Sequence, residues 1–245
     1  MPWNFFERNV GMNAWSASAL FLSISASVYG SFPILPLYAQ DALGFTIVLD
    51  PGHGGSDTGV QMGAISEKTV DLEVAKRTEQ LLSGRSDISV FLTRRDDYGL
   101  SLDERRRLAN SHRPGIFVSL HMAGAPDPVV RGARIYALSS VSVLREDLVM
   151  PLMSAHQAYT QESWRWVSAL TDQFLEDNPE TTMQISALPL APLLGITMPA
   201  AMVELGYLTS TEGNRWENPA TWDRAATMLV AAIDRFRSPG NNPSP

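Results

Sequence analysis

The sequence predicts a single α/β domain, because after Asp41 short apolar runs alternate with segments of helical periodicity. Its 245 residues, 44% hydrophobic and 18% charged, suffice for one substantial domain plus a short extra segment and fall short of two. A Gly-rich stretch directly after the first apolar run places a loop at a strand end, where α/β sheets bind their ligands.

Phe45 to Asp50 reads as the first strand. A helix follows from about Thr69 to Leu82, with Val70, Val74, Arg77 and Leu81 on one face and Gly84 as its stop. Ile88 to Thr93 is the next strand. Ser101 to Asn110 is a helix, with Ser101 as N-cap and Glu104 three residues later completing a capping box. Ile116 to Leu120 is a third strand and Arg134 to Leu138 a fourth. Gln161 to Leu175 has Trp164, Val167, Leu170, Phe174 and Leu175 at the spacing of a core helix face. Ala200 to Leu205 is a further strand, and Trp222 to Phe236 a closing amphipathic helix. The domain therefore spans residues 44–236. The tail, 237–245, is rich in Pro, Asn, Ser and Gly and is expected to be disordered.

Residues 1–40 have a different character. No charged residue occurs from Asn9 to Gln40, and Ala14 to Tyr29 are apolar or small. With Arg8 and the terminal amine as a modest positive start, and Ala39 before Gln40 as a cleavage position, the segment reads as a signal peptide for export. The alternative is an uncleaved N-terminal membrane anchor, to which its serines and Pro33 and Pro36 are less suited.

A net charge of -7 argues against a nucleic-acid partner, which needs a basic stripe. The longest basic cluster, Arg105 to Arg107, lies on a predicted helix, where consecutive side chains point in different directions; it reads as a solvated face with no functional weight. The absence of cysteine removes thiolate metal sites, cysteine nucleophiles and disulfides. Any metal must then sit on His, Asp or Glu.

The loop Asp50-Pro51-Gly52-His53-Gly54-Gly55 sets a histidine between glycines at a strand's C-terminal end. It lacks the lysine and Ser/Thr of a phosphate loop. His121 also lies just past a strand, and two parallel strands ending in histidines can present both imidazoles at one rim. Catalytic zinc commonly takes two His and one carboxylate and leaves a position for water. Glu67 can supply that carboxylate, or it can simply favour the positive end of the helix dipole. His112, near the end of a helix, and His156, far from a strand end, are assigned to structure. Glu204 ends an otherwise apolar strand, which suggests a catalytic or ligand role over a structural ion pair. Asp50 either supports the site as a hydrogen-bond acceptor or shapes the Asp-Pro-Gly turn.

These residues resemble the zinc-dependent N-acetylmuramoyl-L-alanine amidases of the type-3 class. Ile47 to Gly55 is similar to that family's first metal motif, Glu67-Lys68 to its carboxylate ligand, and Phe117 to His121 to its second histidine strand. Thr93-Arg94 with Leu102, Arg105 and Ala109-Asn110 resembles the stretch leading into that strand, and Pro199 to Tyr207 the segment carrying the catalytic glutamate. Two features depart from the pattern: Met122-Ala123-Gly124 follows His121, and the interval from His121 to Glu204 is long, which suggests an insertion between Ser139 and Ile185.

The resemblance implies a mixed, mostly parallel central sheet flanked by helices on both faces. It implies Zn²⁺ on His53, Glu67 and His121, with Glu204 as the catalytic proton carrier and peptidoglycan as substrate. It leaves the stem peptide and any protein activator undefined. A zinc carboxypeptidase on the same scaffold and a non-catalytic wall-binding protein are the competing readings; the presence of all four residues disfavours the second.

Overall fold

A computed structural model describes residues 44–112, 115–139 and 149–238. The segment expected to direct export, and residues 239–245 of the tail, lie outside them. Within the described residues eight strands and five α-helices follow one another as β1 (Phe45–Pro51), β2 (Gln61–Met62), β3 (Ile65–Ser66), α1 (Glu67–Leu82), β4 (Ile88–Leu92), α2 (Leu102–Asn110), β5 (Gly115–Ala123), β6 (Ala133–Leu138), α3 (Val149–Gln157), α4 (Thr160–Asp177), β7 (Met183–Leu188), β8 (Ala200–Tyr207) and α5 (Pro219–Arg237). Six strands form one sheet in the order β4-β1-β5-β8-β6-β7. Strands β4, β1, β5 and β8 are mutually parallel, β6 runs antiparallel to β8, and β7 is parallel to β6. The expected mixed, mostly parallel sheet is what forms.

Strand side chains alternate between faces, and here the two faces differ in kind. One face carries Ile47, Leu49, Ile116, Val118, Leu120, Ala201 and Val203, all buried in the main core under α1, α4 and α5. Burying an aliphatic side chain contributes about 1.5–3 kcal/mol, so this face supplies much of the driving force for folding. The other face begins apolar, with Val48, Phe117 and Ala200 against Ala109 of α2 and Leu193, Ile196 and Met198. Two residues further along the same strands it turns polar: Asp50 beside Ser119, then His121 beside Glu204. The chemistry therefore sits at the C-terminal ends of the parallel strands, on the α2 side.

Several expectations change in detail. Helix α1 starts at Glu67, two residues early, and its buried face ends on Thr78 and Leu82 while Leu81 is exposed. In α4, Trp166 is the fully buried aromatic, and Trp164 and Leu175 are exposed. A helix turns 100° per residue, so one position of phase error moves a bulky side chain from core to solvent. Strand β8 continues to Tyr207, which puts Glu204 inside it, and α5 takes Arg237 from the expected tail. The capping box of Ser101 and Glu104 forms as the spacing requires. Strand β7, helix α3 and the β2–β3 hairpin were not foreseen. The interval from Ser139 to Ile185 holds α3, α4 and the start of β7 in its described part. Among the described residues no helix is long and apolar enough to cross a membrane.

Candidate metal centre

Three of the proposed site residues meet at one point. His53 stands in the loop after β1 with φ of 56°, a left-handed conformation that a non-glycine residue adopts only when its surroundings hold it there. Its Nε2 lies 3.1 Å from Glu67 Oε1. From the end of β5, His121 brings Nδ1 to 2.9 Å from the same oxygen. The two imidazoles sit edge to face with ring centres 5.0 Å apart.

The short β2–β3 hairpin delivers Glu67 to this point: Glu67 N–H donates to Val60 O at 2.8 Å, and Val60 N–H donates back to Glu67 Oε2 at 2.8 Å. Met122 N–H donates to Oε1 at 2.9 Å. Burial acts to raise the Glu67 pKa, but the histidines and these backbone donors outweigh it and hold the carboxylate far below its ordinary value. Burial likewise opposes the charged form of His53, yet Glu67 and Asp57 win and its pKa rises. The cluster draws positive charge inward.

Two glycines make the approach possible. A Cβ on Gly52 would stand 2.4 Å from His121 Cε1, and one on Gly59, whose φ is +61°, would stand 2.4 Å from Glu67 Oε2. Either side chain would displace a ligand.

Sequence reasoning missed three supports. Asp57 Oδ2 lies 2.8 Å from His53 Nδ1, which assigns the proton to that nitrogen and aims the Nε2 lone pair at the cluster. Arg105, read as part of a solvated face, is instead buried: it donates to Asp50 Oδ1 at 2.8 Å and to the carbonyls of Pro51 and His53 at 2.5 Å each. Arg94, fully buried, donates to the carbonyls of Gly52 at 2.6 Å and Lys68 at 2.8 Å. The guanidinium groups thus pin both the His53 loop and the start of α1. The usable signal was the family resemblance, since Arg94 and Arg105 both fall in the stretch that carries it; arginine forks are suited to binding several carbonyls at once.

Asp50, buried, accepts from Thr93 at 2.6 Å and Ser119 at 2.9 Å as well as from Arg105, so it supports the site through hydrogen bonds. Both histidines assigned to structure do structural work. His112 Nδ1 lies 2.7 Å from Leu108 O at the end of α2, and His156 lies buried between Ile196 O at 2.8 Å and Ser163 Oγ at 3.0 Å.

Glu204 stands in register with His121 on the neighbouring strand, so both side chains share a face. Tyr136 O–H donates to its Oε2 at 3.3 Å and Arg134 at 3.5 Å, both from β6. Burial raises its pKa, with Arg134 and Tyr136 opposing. It is not among the side chains clustered closely enough to share a cation, which are His53, Glu67, His121 and an unforeseen one, Asp71.

The donor set fits a zinc ion. With the Nδ1 proton of His53 given to Asp57, its Nε2 and the Glu67 carboxylate face each other as two acceptors, an arrangement that a cation between them satisfies. A cleft of about 370 Å³ opens beside the cluster, lined by His53, His121, Leu100, Leu102 and Pro192 among others. A larger cavity of about 500 Å³ lies away from it, near Phe174, Leu205 and Met228, and its charged rim pairs with itself through Arg131–Glu212 and Arg224–Asp177.

The sequence pattern of the N-acetylmuramoyl-L-alanine amidase family matches residues 47–235. The chain belongs to that family. It is 27% identical over 230 residues to the probable N-acetylmuramoyl-L-alanine amidase AmiB of Haemophilus influenzae, covering 80% of this chain and 53% of that protein. To the N-acetylmuramoyl-L-alanine amidase AmiC of Escherichia coli it is 24% identical over 221 residues, covering 79% and 53%. This amidase-family chain thus spans about half the length of these curated relatives. The solved structure of AmiC2 of Nostoc punctiforme superposes with a TM-score of 0.65 at 24% identity, over 78% of this chain and 96% of that one, and shares its fold.

Proposed function

We propose that residues 44–236 form a zinc-dependent N-acetylmuramoyl-L-alanine amidase domain that hydrolyses the amide between the lactyl group of N-acetylmuramic acid and the L-alanine of peptidoglycan stem peptides. The observation that carries this reading is the convergence of His53, Glu67 and His121 on one point, with Glu204 in register beside His121. Family membership supplies the bond that is cut.

His53, Glu67 and His121 would hold the ion. Bound there, zinc would polarise a carbonyl and lower the pKa of a water molecule toward neutrality. Glu204 serves as the proton carrier: it takes the proton from the attacking water and gives it to the departing alanine nitrogen, so that the lactyl carboxylate and a free amine are released. Its raised pKa suits both halves of that task, since a base that must also act as an acid works best near the operating pH. Asp57, Arg94 and Arg105 hold the loop and the imidazole tautomer and stay out of the proton path.

Digestion of purified peptidoglycan, with and without chelator, followed by mass spectrometry of the new termini tests the reaction. Free N-terminal L-alanine released only with metal is the expected result, whereas a newly freed stem C-terminus would identify a carboxypeptidase. Glu204→Gln separates the roles: it should keep close to stoichiometric zinc and lose roughly two to four orders of magnitude in turnover. His53→Ala and His121→Ala should lose the zinc itself. Metal depletion in Glu204→Gln would make that residue a ligand and end its assignment to proton transfer.

The substrate lies outside the cytoplasmic membrane, and the uncharged stretch from Asn9 to Gln40 matches an export segment. The proposal therefore includes work in the periplasm or at the wall. Cell fractionation checks it: full-length protein confined to the cytoplasm would contradict it.

A further inference from the structure

We propose that Asp71 is a fourth protein donor to the cation held by His53, Glu67 and His121. The inference rests on the metal centre proposed above and adds to it a carboxylate that the three-residue motif does not contain.

Asp71 lies four residues after Glu67 on α1, which puts both carboxylates on one face of the helix. It has no solvent exposure, and neither of its oxygens has a hydrogen-bond partner. One of those oxygens and one donor atom from each of His53, Glu67 and His121 all lie within 4.8 Å of one another.

The groups facing Asp71 compensate it only in part. Glu67 and Asp50 add negative charge. Arg94 and Arg105 lie near enough to act electrostatically, but their hydrogen bonds go to the carbonyls of Pro51, Gly52, His53, Lys68, Asp96 and Leu100 and to Asp50. Without a cation, burial and the neighbouring Glu67 force the group toward its neutral form. A buried carboxyl that binds nothing is costly in either form. A divalent cation removes the cost, because two carboxylates cancel its charge and the donor set becomes two imidazoles and two carboxylates. Zinc accepts such ligands, and its ability to expand its coordination would let water join four protein donors.

The test uses the full chain as wild type, Asp71→Asn, Asp71→Ser and His53→Ala. Zinc dissociation constants are measured by competition with a chromophoric chelator, visible spectra are recorded on the cobalt-substituted proteins, and thermal midpoints are taken with and without metal. Asp71→Asn is expected to bind zinc about 10–100-fold more weakly, the range seen when a group supporting a metal site is lost. Its cobalt spectrum should change, and zinc should raise its thermal midpoint by less than it raises that of the wild type, because one donor to the ion is missing. A structural role alone would lower the midpoint equally with and without metal and would leave the cobalt spectrum unchanged. Asp71→Ser, which is smaller, should repeat the affinity loss and guards against a misfolded amide variant. An unchanged zinc affinity or an unchanged cobalt spectrum in both variants would overturn the assignment of Asp71. Failure of the wild type to bind zinc, or His53→Ala binding as tightly as wild type, would instead remove the centre on which the assignment rests.

Discussion

Two carboxylates share one face of the sheet, Asp50 on β1 and Glu204 on β8, and the protein treats them in opposite ways. Asp50 is 1% exposed and accepts three hydrogen bonds of 2.6–2.9 Å, from Thr93, Arg105 and Ser119. Glu204 accepts only long ones, 3.3 Å from Tyr136 and 3.5 Å from Arg134, and its side chain keeps 15% of its exposure. Short hydrogen bonds to a charged acceptor are the strong ones and leave the group no freedom. Long ones leave the carboxylate able to take up and release a proton. The half of the site around β1, α1 and α2 is therefore tightly held, and the looser half around β6 and β8 suits the proton transfer proposed for Glu204.

Breaking the rigid half should give the largest effect on stability. Arg105→Met removes the cation from Asp50 and three donors from a buried network, while the methionine keeps much of the side-chain volume. Loss of one partner of a buried ion pair typically costs about 3–5 kcal/mol, because the other charge is left uncompensated. Urea unfolding monitored by tryptophan fluorescence should show a loss of that order. A change below about 1 kcal/mol would return Arg105 to the solvated helix face that its sequence neighbourhood suggested.

That correction shows where the sequence was legible. Alternation of apolar runs with helical periodicity was enough for the α/β architecture, since each period follows from local backbone geometry. His53, Glu67 and His121 could be read because each sits at a strand end or a helix start, positions visible along the chain. Glu204 was readable as a charge in an apolar strand. Arg94, Arg105, Asp57 and Asp71 were not, because their meaning depends on which residues the fold brings beside them. Arg105 meets Asp50 from 55 positions away, and only the packing of α2 against the sheet makes it a buried partner while Arg106 and Arg107 stay nearer solvent. Likewise Asp71 looks like an ordinary helical carboxylate until α1 is docked with Glu67 at the rim. Strand β7 alternates apolar and polar residues from Met183 to Ala187, but none of its side chains is buried, so the run is short and no strongly hydrophobic face sets it apart along the chain.

A smaller effect, and a finer test of the contrast, is expected from Arg134→Met. The Arg134 side chain is 31% exposed and its contact with Glu204 is long, so its loss should change unfolding free energy by no more than about 1 kcal/mol, the scale of a solvent-screened pair. Its effect should appear in the pH profile. Burial raises the Glu204 pKa above the ordinary 4.5, and the Arg134 charge opposes that rise. In the proposed mechanism Glu204 must be deprotonated to accept the proton of water, so the acid limb of kcat/KM would report its ionisation in the free enzyme. With Arg134 gone, burial is less opposed, Glu204 protonates at higher pH, and the acid limb should move up. Well above that limb the rate should change far less, because Glu204 is ionised in both proteins. Methionine preserves part of the packing over Tyr207, where the guanidinium sits 4.9 Å from the ring centre. Arg134→Lys restores the charge without the planar fork and should bring the limb back toward the wild-type position. An acid limb that stays fixed in Arg134→Met would mean that its charge does not govern Glu204. A stability loss as large as that of Arg105→Met would make Arg134 a pillar of the same kind, and the division between a holding half and a working half would fail.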